Sequence, residues 1–219
     1  MLESSMIELL GNGILETLYM TLASTLFAYV LGLPLGILLV VTDKEGILPK
    51  PVFNGVLGFI VNVLRSVPFL ILLVAIIPFT RFIVGKIIGP TAMLVPLTIS
   101  AAPFVARLVE SSLKEVDHGV IEAAQSMGAS PARIIFHVML PEAKPSLLVG
   151  AAIAVTTILG YSAMAGFVGG RGLGDIAMRY GYYRYETDVM LVTLVLIVII
   201  VQVFQEVGMK IAKRCDKRR

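Results

Sequence analysis

Few side chains in this sequence combine the type and spacing that covalent chemistry needs. His118 and His137 lie nineteen residues apart with no carboxylate cluster at ligand spacing, so they do not read as a metal site. Cys215 is the one cysteine and can form neither an intrachain disulfide nor a thiolate metal site. There is no Ser-His-Asp arrangement, no paired carboxylate and no Gly-x-x-x-x-Gly-Lys-Ser/Thr phosphate loop. What stands out instead is a set of small and hinge-forming residues: Glu122-Ala123-Ala124, then Gly128, then Leu140-Pro141. Alanines permit close approach to a cleft, and a glycine can set the angle between two helices. A second set, Thr156, Gly160 and Met164, recurs at four-residue spacing and forms one helix stripe, with Tyr161 and Ser162 beside it.

The first set is carried by two short helices. Residues from Glu115 onward form a helix that ends at Gly128, a residue suited to the left-handed turn after a helix. Ser130 caps a second helix with Pro131 at its first position, and Ile134, Ile135 and Val138 follow helical spacing. Leu140-Pro141 is expected to break that helix. The product is a protruding knob over residues 115–141, read either as an amphipathic connection on the lipid surface or as a helix docked in a partner's groove. Glu122 suits a cap or salt bridge within the joint, or an ordinary solvated charge.

The surroundings are apolar. Of 219 residues 57% are hydrophobic and only 15% charged, against about 45–50% and about 25% in average globular chains. A soluble fold of this size needs far more polar surface, so the chain reads as an all-α integral membrane protein. Five transmembrane helices are expected, at about 14–41, 56–79, 91–113, 146–168 and 189–209. Residues 1–13 contain Glu3 and Glu8 but no Lys or Arg, so no cleaved signal peptide is read there. The formal net charge of +3, with basic residues at loops and tail, gives no support to nucleic-acid binding.

Lys and Arg set the orientation. Twelve lie on the side holding the first loop (Lys44, Lys50), the third span's end with the knob (Arg107, Lys114, Arg133, Lys144) and the tail 206–219. The opposite side has Arg81, Lys86, Arg171, Arg179 and Arg184. The knob and C-terminus are therefore expected in the cytoplasm and the N-terminus outside, with the basic tail anchored on anionic lipid. Arg65 lies inside the second apolar run and either snorkels to the headgroups or lines a wet cavity. Pro96 and Pro103 share a face of the third span and can bend it. Arg107, Glu110 and Lys114 have the spacing of interfacial ion pairs. Gly150, Ala151, Ala152 and Ala154 read as helix packing. Met164 suits a flexible gate or a lipid- or core-facing position equally.

Glu122-Ala123-Ala124, three residues, Gly128, nine residues, then Val138-x-Leu140-Pro141 resembles the EAA loop of binding-protein-dependent ABC importer permeases, which inserts into a cleft of the ATPase subunit. Arg65-Ser66-Val67-Pro68-Phe69 is similar to a segment of amino-acid importer permeases. Pro96-Leu97-Thr98, Ala101-Ala102-Pro103-Phe104, Gly160-Tyr161-Ser162-Ala163-Met164, Gly172-Leu173-Gly174 and Tyr180-Gly181-Tyr182 narrow the likeness to permease subunits of methionine importers, a five-span branch of the type I importers. The resemblance covers about residues 13–205.

It implies a homodimer in the bacterial cytoplasmic (inner) membrane, two ATP-binding subunits, an extracytoplasmic methionine-binding protein, often a lipoprotein, and L- and D-methionine as cargo. No cofactor would be bound by this chain; ATP and Mg would be used by the partner ATPase. Glu122, Ala123, Ala124, Gly128, Leu140 and Pro141 would couple to that ATPase, and Thr156, Gly160, Tyr161, Ser162 and Met164 would line the pathway or its gate. A bulky charged residue at Gly128 is then expected to abolish coupled transport while the chain still inserts. The same machinery serving another amino acid or small solute is the alternative. Against an ATPase-independent channel or secondary transporter stand the knob, which a channel has no need of, and the lack of buried acidic residues suited to ion coupling.

Overall fold

The computed structural model describes residues 2–215, and Lys217, Arg218 and Arg219 of the expected tail lie outside them. The described residues are helical, without strands. Among the described residues four helices are each long and apolar enough to cross a membrane: α1 (Leu2–Val41), α5 (Pro90–Lys114), α9 (Lys144–Ala165, extended by a 3-10 turn over Gly166–Val168) and α11 (Thr187–Cys215). Expected spans one, three, four and five fall within these. The outward segment 1–13 is no separate arm from Leu2 onward but the first turns of α1, and the tail up to Cys215 continues α11.

The second span departs from expectation. The run 56–79 is not one helix but three: α2 (Pro51–Ser66), α3 (Phe69–Ala75) and α4 (Ile77–Val84), with a turn of 98° between α2 and α3. The cause is local. Pro68 denies an amide to the ladder, and the residue before a proline is pushed out of the helical region. Arg65, near the end of α2, is exposed. α5, by contrast, runs unbroken through Pro96 and Pro103.

The chain divides into two compact units, residues 1–27, 67–101 and 155–205 in one, and 28–66, 102–154 and 206–219 in the other. The first unit is centred on Met20, Phe69, Leu73, Met93 and Leu97, with Tyr161 and Val168 against them. In the second, Leu39, Val61 and Ala106 form a smaller core with Leu35 and Leu57. There α1 and α5 pack at backbone distance. A Cβ built on Gly32 would stand 2.7 Å from the Ala102 carbonyl oxygen, and one on Gly36 2.6 Å from that of Ala106. Small residues four apart permit this approach, which in lipid supplies the packing that the hydrophobic effect cannot. Gly208 of α11 sits equally close to Ala152 of α9.

Candidate functional site: the knob and the open face of the fourth span

The knob is built from local capping chemistry. The Asp117 carboxylate accepts from the Gly119 amide at 2.6 Å and starts α6 (His118–Ser126). The helix ends in a Schellman turn: Ala129 N–H donates to the Ala124 carbonyl and Gly128 N–H to that of Gln125, with Gly128 at φ +76°. Ser130 then accepts from the Arg133 amide and Pro131 takes the first position of α7 (Pro131–Ile134).

Beyond Ile134 the structure differs from expectation. The chain does not break at Leu140-Pro141 but widens into a π turn over Ile135–Met139 and continues as α8 (Leu140–Glu142). The wider turn makes room for the Pro141 ring against the preceding carbonyls, which a regular helix would not.

α6 packs on α7 and the π turn, burying Ile121, Ala124, Ile134 and Met139. Glu122 and Ala123 point outward, and Gly128 and Pro141 are exposed, whereas Leu140 is half-buried. Expectation thus splits: Ala123 is free for close approach, while Ala124 is small because it packs inside the knob. Two cavities adjoin it in this unit. One, about 320 Å³, lies between Val41, Asp43, Lys114, His118, Ile121 and Met139. The other, about 300 Å³, lies between Ser112, Glu115, Glu142, Ser146, Met209 and Lys213.

Beside the first cavity runs a chain of charges. Arg107 donates to Glu110, to the Gly58 carbonyl at 3.0 Å and to Asn62 Oδ1 at 2.7 Å. Lys114 bridges Glu110 and Asp43, 3.0 Å from each. Lys114 and then the Lys44 amide, by hydrogen bonding to the Asp43 carboxylate, hold its pKa below the ordinary value. The pairs within α5 follow from sequence spacing; Asp43, Gly58 and Asn62 do not, since they reach it from α2 and the loop before it.

The pathway set also splits. On α9, Gly160 is exposed with nothing near where a Cβ would stand, Met164 is 43% exposed, and Thr156 is half-buried on the same stripe. Tyr161 and Ser162 face the interior of the first unit. The Tyr161 ring stacks on Phe69 at 4.8 Å, and Ser162 Oγ donates to the Leu159 carbonyl at 2.8 Å with Thr21 Oγ1 3.5 Å away. The pairing of Phe69 with Tyr161 escaped sequence reasoning because a ring pair between distant segments leaves no periodic trace.

A helical membrane chain with a two-helix knob before its fourth span invites comparison with transport permeases. Residues 32–213 match the family described as the binding-protein-dependent transport system inner membrane component. The chain belongs to this family. As such a permease component it is a membrane-embedded transport subunit and not an enzyme. It is 52% identical over 211 residues to the probable D-methionine transport system permease protein MetI of Vibrio cholerae, covering 96% of this chain and 94% of that one. It is 48% identical over 209 residues to the methionine import system permease protein MetP of Bacillus subtilis, covering 95% and 94%. Among solved structures, an inward-facing MetNI methionine ABC transporter superposes with a TM-score of 0.96 at 48% identity, over 97% of this chain and 99% of that chain. An amino acid ABC transporter shares the fold alone, with a TM-score of 0.79 at 21% identity. The family places the permease in an inner membrane with several passes, the type I importer architecture that the helices display.

Proposed function

We propose that this permease imports methionine, in both L and D forms, as a homodimer driven by two separate ATP-binding subunits and fed by an extracytoplasmic binding protein. The observation that carries the reading is the likeness to the MetNI transporter, at a TM-score of 0.96 over nearly the full length of both chains. ATP and Mg belong to the partner subunits in this reading, and the present chain converts their movement into a switch between inward-open and outward-open cavities. The excess of Lys and Arg on one side argues for a cytoplasmic knob and C-terminus and an outward N-terminus.

Within the machine, Glu122, Ala123, Gly128 and Pro141 offer the exposed surface of the knob to the ATPase, while Ala124 and Leu140 hold its two helices together. The stripe Thr156, Gly160 and Met164 faces the second copy and lines the pathway, with Met164 as its flexible gate. Tyr161 and Ser162 support the wall from behind.

The test is uptake of labelled L-methionine by cells lacking their own methionine import and expressing this chain with its native ATPase and binding protein. Energy-dependent uptake, competed by unlabelled D- and L-methionine and lost in Gly128→Val, is the expected result. A complex that assembles and hydrolyses ATP yet takes up only another amino acid would overturn methionine as cargo and leave the machine standing.

A further inference from the structure

In the first unit, away from every residue assigned above, four charged side chains line one open cavity of about 470 Å³: Glu16, Arg171, Asp175 and Arg179, with Leu9 and Ile176 as its apolar wall. The charges alternate. Arg171 reaches Glu16 at 3.5 Å and Arg179 pairs with Asp175. The carboxylates are the recessed groups, 28% and 7% exposed, while the guanidiniums are 63% and 54% exposed and keep donors free. The Glu16 carboxylate also accepts the Gly172 amide at 2.9 Å, which ties α1 to the start of α10 (Gly172–Ile176).

A second observation singles out the place. Arg171 has φ 62° and ψ −164°, a backbone region that glycine alone adopts freely. An arginine is held there although Gly170 and Gly172 flank it. Strain of this kind persists where the side chain is needed in that position.

The third observation is depth. Glu16 and Asp43 bound an uncharged run, residues 17–42, about 39 Å long at about 1.5 Å per residue. That length matches a hydrocarbon core with part of each headgroup layer, about 30 and about 40–45 Å, so Glu16 stands at headgroup level. Beside it α1 exposes Leu15, and below it Leu22 and Leu26, on one apolar ridge. Tyr182, Tyr183 and Tyr185 are exposed just beyond Arg179, as in the aromatic belt of a membrane interface.

We infer that this cavity binds the headgroup of a zwitterionic phospholipid carrying a primary ammonium, that is, phosphatidylethanolamine. Its phosphate meets Arg171 and Arg179, its ammonium donates to Glu16 and Asp175, and its acyl chains lie along the α1 ridge. Two cations and two anions leave the site without net charge, so a purely anionic lipid gains at the arginines what it loses at the carboxylates. A trimethylated ammonium has no N–H to donate. A free amino acid shares the ammonium–anion chemistry but brings no chains to the ridge.

The experiment reconstitutes the full-length chain with its partner subunits in phosphatidylcholine vesicles holding trace spin-labelled phosphatidylethanolamine, phosphatidylcholine or phosphatidylglycerol, and measures the immobilised fraction of each. The expected result is at least a tenfold preference for phosphatidylethanolamine over both others, about what one charge-assisted hydrogen bond confers. Arg171→Gly, which relaxes the backbone and removes a phosphate partner, should retain less phosphatidylethanolamine while keeping or raising the melting temperature. Glu16→Gln, which can still accept the Gly172 amide but loses a charged acceptor for the ammonium, should lower the preference over phosphatidylcholine. Equal retention of all three lipids, undiminished retention of phosphatidylethanolamine in Arg171→Gly, an undiminished preference in Glu16→Gln, or displacement of the labelled lipid by millimolar L-methionine would each overturn the assignment.

Discussion

Phe69 and Tyr161 stack with ring centroids 4.8 Å apart and planes 7° from parallel, which fastens the first turn after the Pro68 break to the C-terminal part of α9. The pair adds about 0.5–1.5 kcal/mol beyond the area it buries. Phe69→Leu and Tyr161→Leu should each lower the melting temperature in detergent. The double variant should show a coupling of that size in a thermodynamic cycle. Strictly additive losses would mean the rings merely fill space.

At Gly128 the obstacle to substitution is the backbone and not its neighbours, because φ is +76° and nothing lies within 4 Å of an added Cβ. Gly128→Asn, which tolerates the left-handed region, should keep transport close to wild type. Gly128→Val should cost at least about 1–2 kcal/mol locally and uncouple ATP hydrolysis from uptake, with normal membrane insertion on a blot. An aspartate is a gentler probe than its charge suggests, since it shares asparagine's tolerance of that conformation.

Met164 is 43% exposed, so truncating it leaves no cavity in the chain itself. Met164→Ala should change thermal stability by no more than about 0.5 kcal/mol yet raise basal ATP hydrolysis or solute leak of the assembled transporter. Unchanged hydrolysis and leak would argue that Met164 packs and does not gate.

The Asp43–Lys114 pair predicts a dependence on pH. The Asp43 carboxyl has its pKa lowered from 3.8, first by the Lys114 hydrogen bond and next by the Lys44 amide. Its stabilisation is therefore complete above the unfolded value and is lost as pH falls through the lowered one. Melting temperatures of wild type and Asp43→Asn should differ by a constant amount at neutral pH and converge below about pH 4. High salt should narrow the gap at neutral pH, since both side chains are partly exposed.

Gly36→Leu should destabilise strongly, by about 1–3 kcal/mol or more, because the first added atom meets the Ala106 carbonyl oxygen. Gly55→Leu is the matched control, as nothing lies within 4 Å of its Cβ position. Melting of the two variants in one detergent reads the difference.

What the sequence revealed was what local chemistry governs. Asp117, Gly128, Ser130 and Pro131 each act within a few residues, and the knob's first helix and elbow were legible from them. The four long spans were legible because lipid demands uninterrupted apolar runs. The bend within the second apolar run went unread for the same reason: composition stays apolar across Val67-Pro68 although the backbone turns there, and Pro68 was the available signal. Gly32 and Gly36 also advertised their packing by a four-residue spacing that went unread. The Tyr161–Phe69 stack and the reach of Asn62 to Arg107 lay beyond inspection, because each joins segments whose separation in the chain encodes nothing about their meeting.

The π turn at Ile135–Met139 has a consequence for how this segment tolerates length changes. Each residue of a regular helix advances the screw by about 100°, so the widened turn shifts the angular phase between α7 and the start of α9. Forcing all five residues into an ordinary ladder would swing Ser146 away from Ser112, to which it donates at 3.1 Å, whereas removing one residue together with the wide turn leaves the two ends near their present phase. The knob and the fourth span thus behave as two gears keyed on one shaft, with the wide turn as the slack between them: it can take up the loss of one residue, which a regular helix elsewhere in the segment cannot.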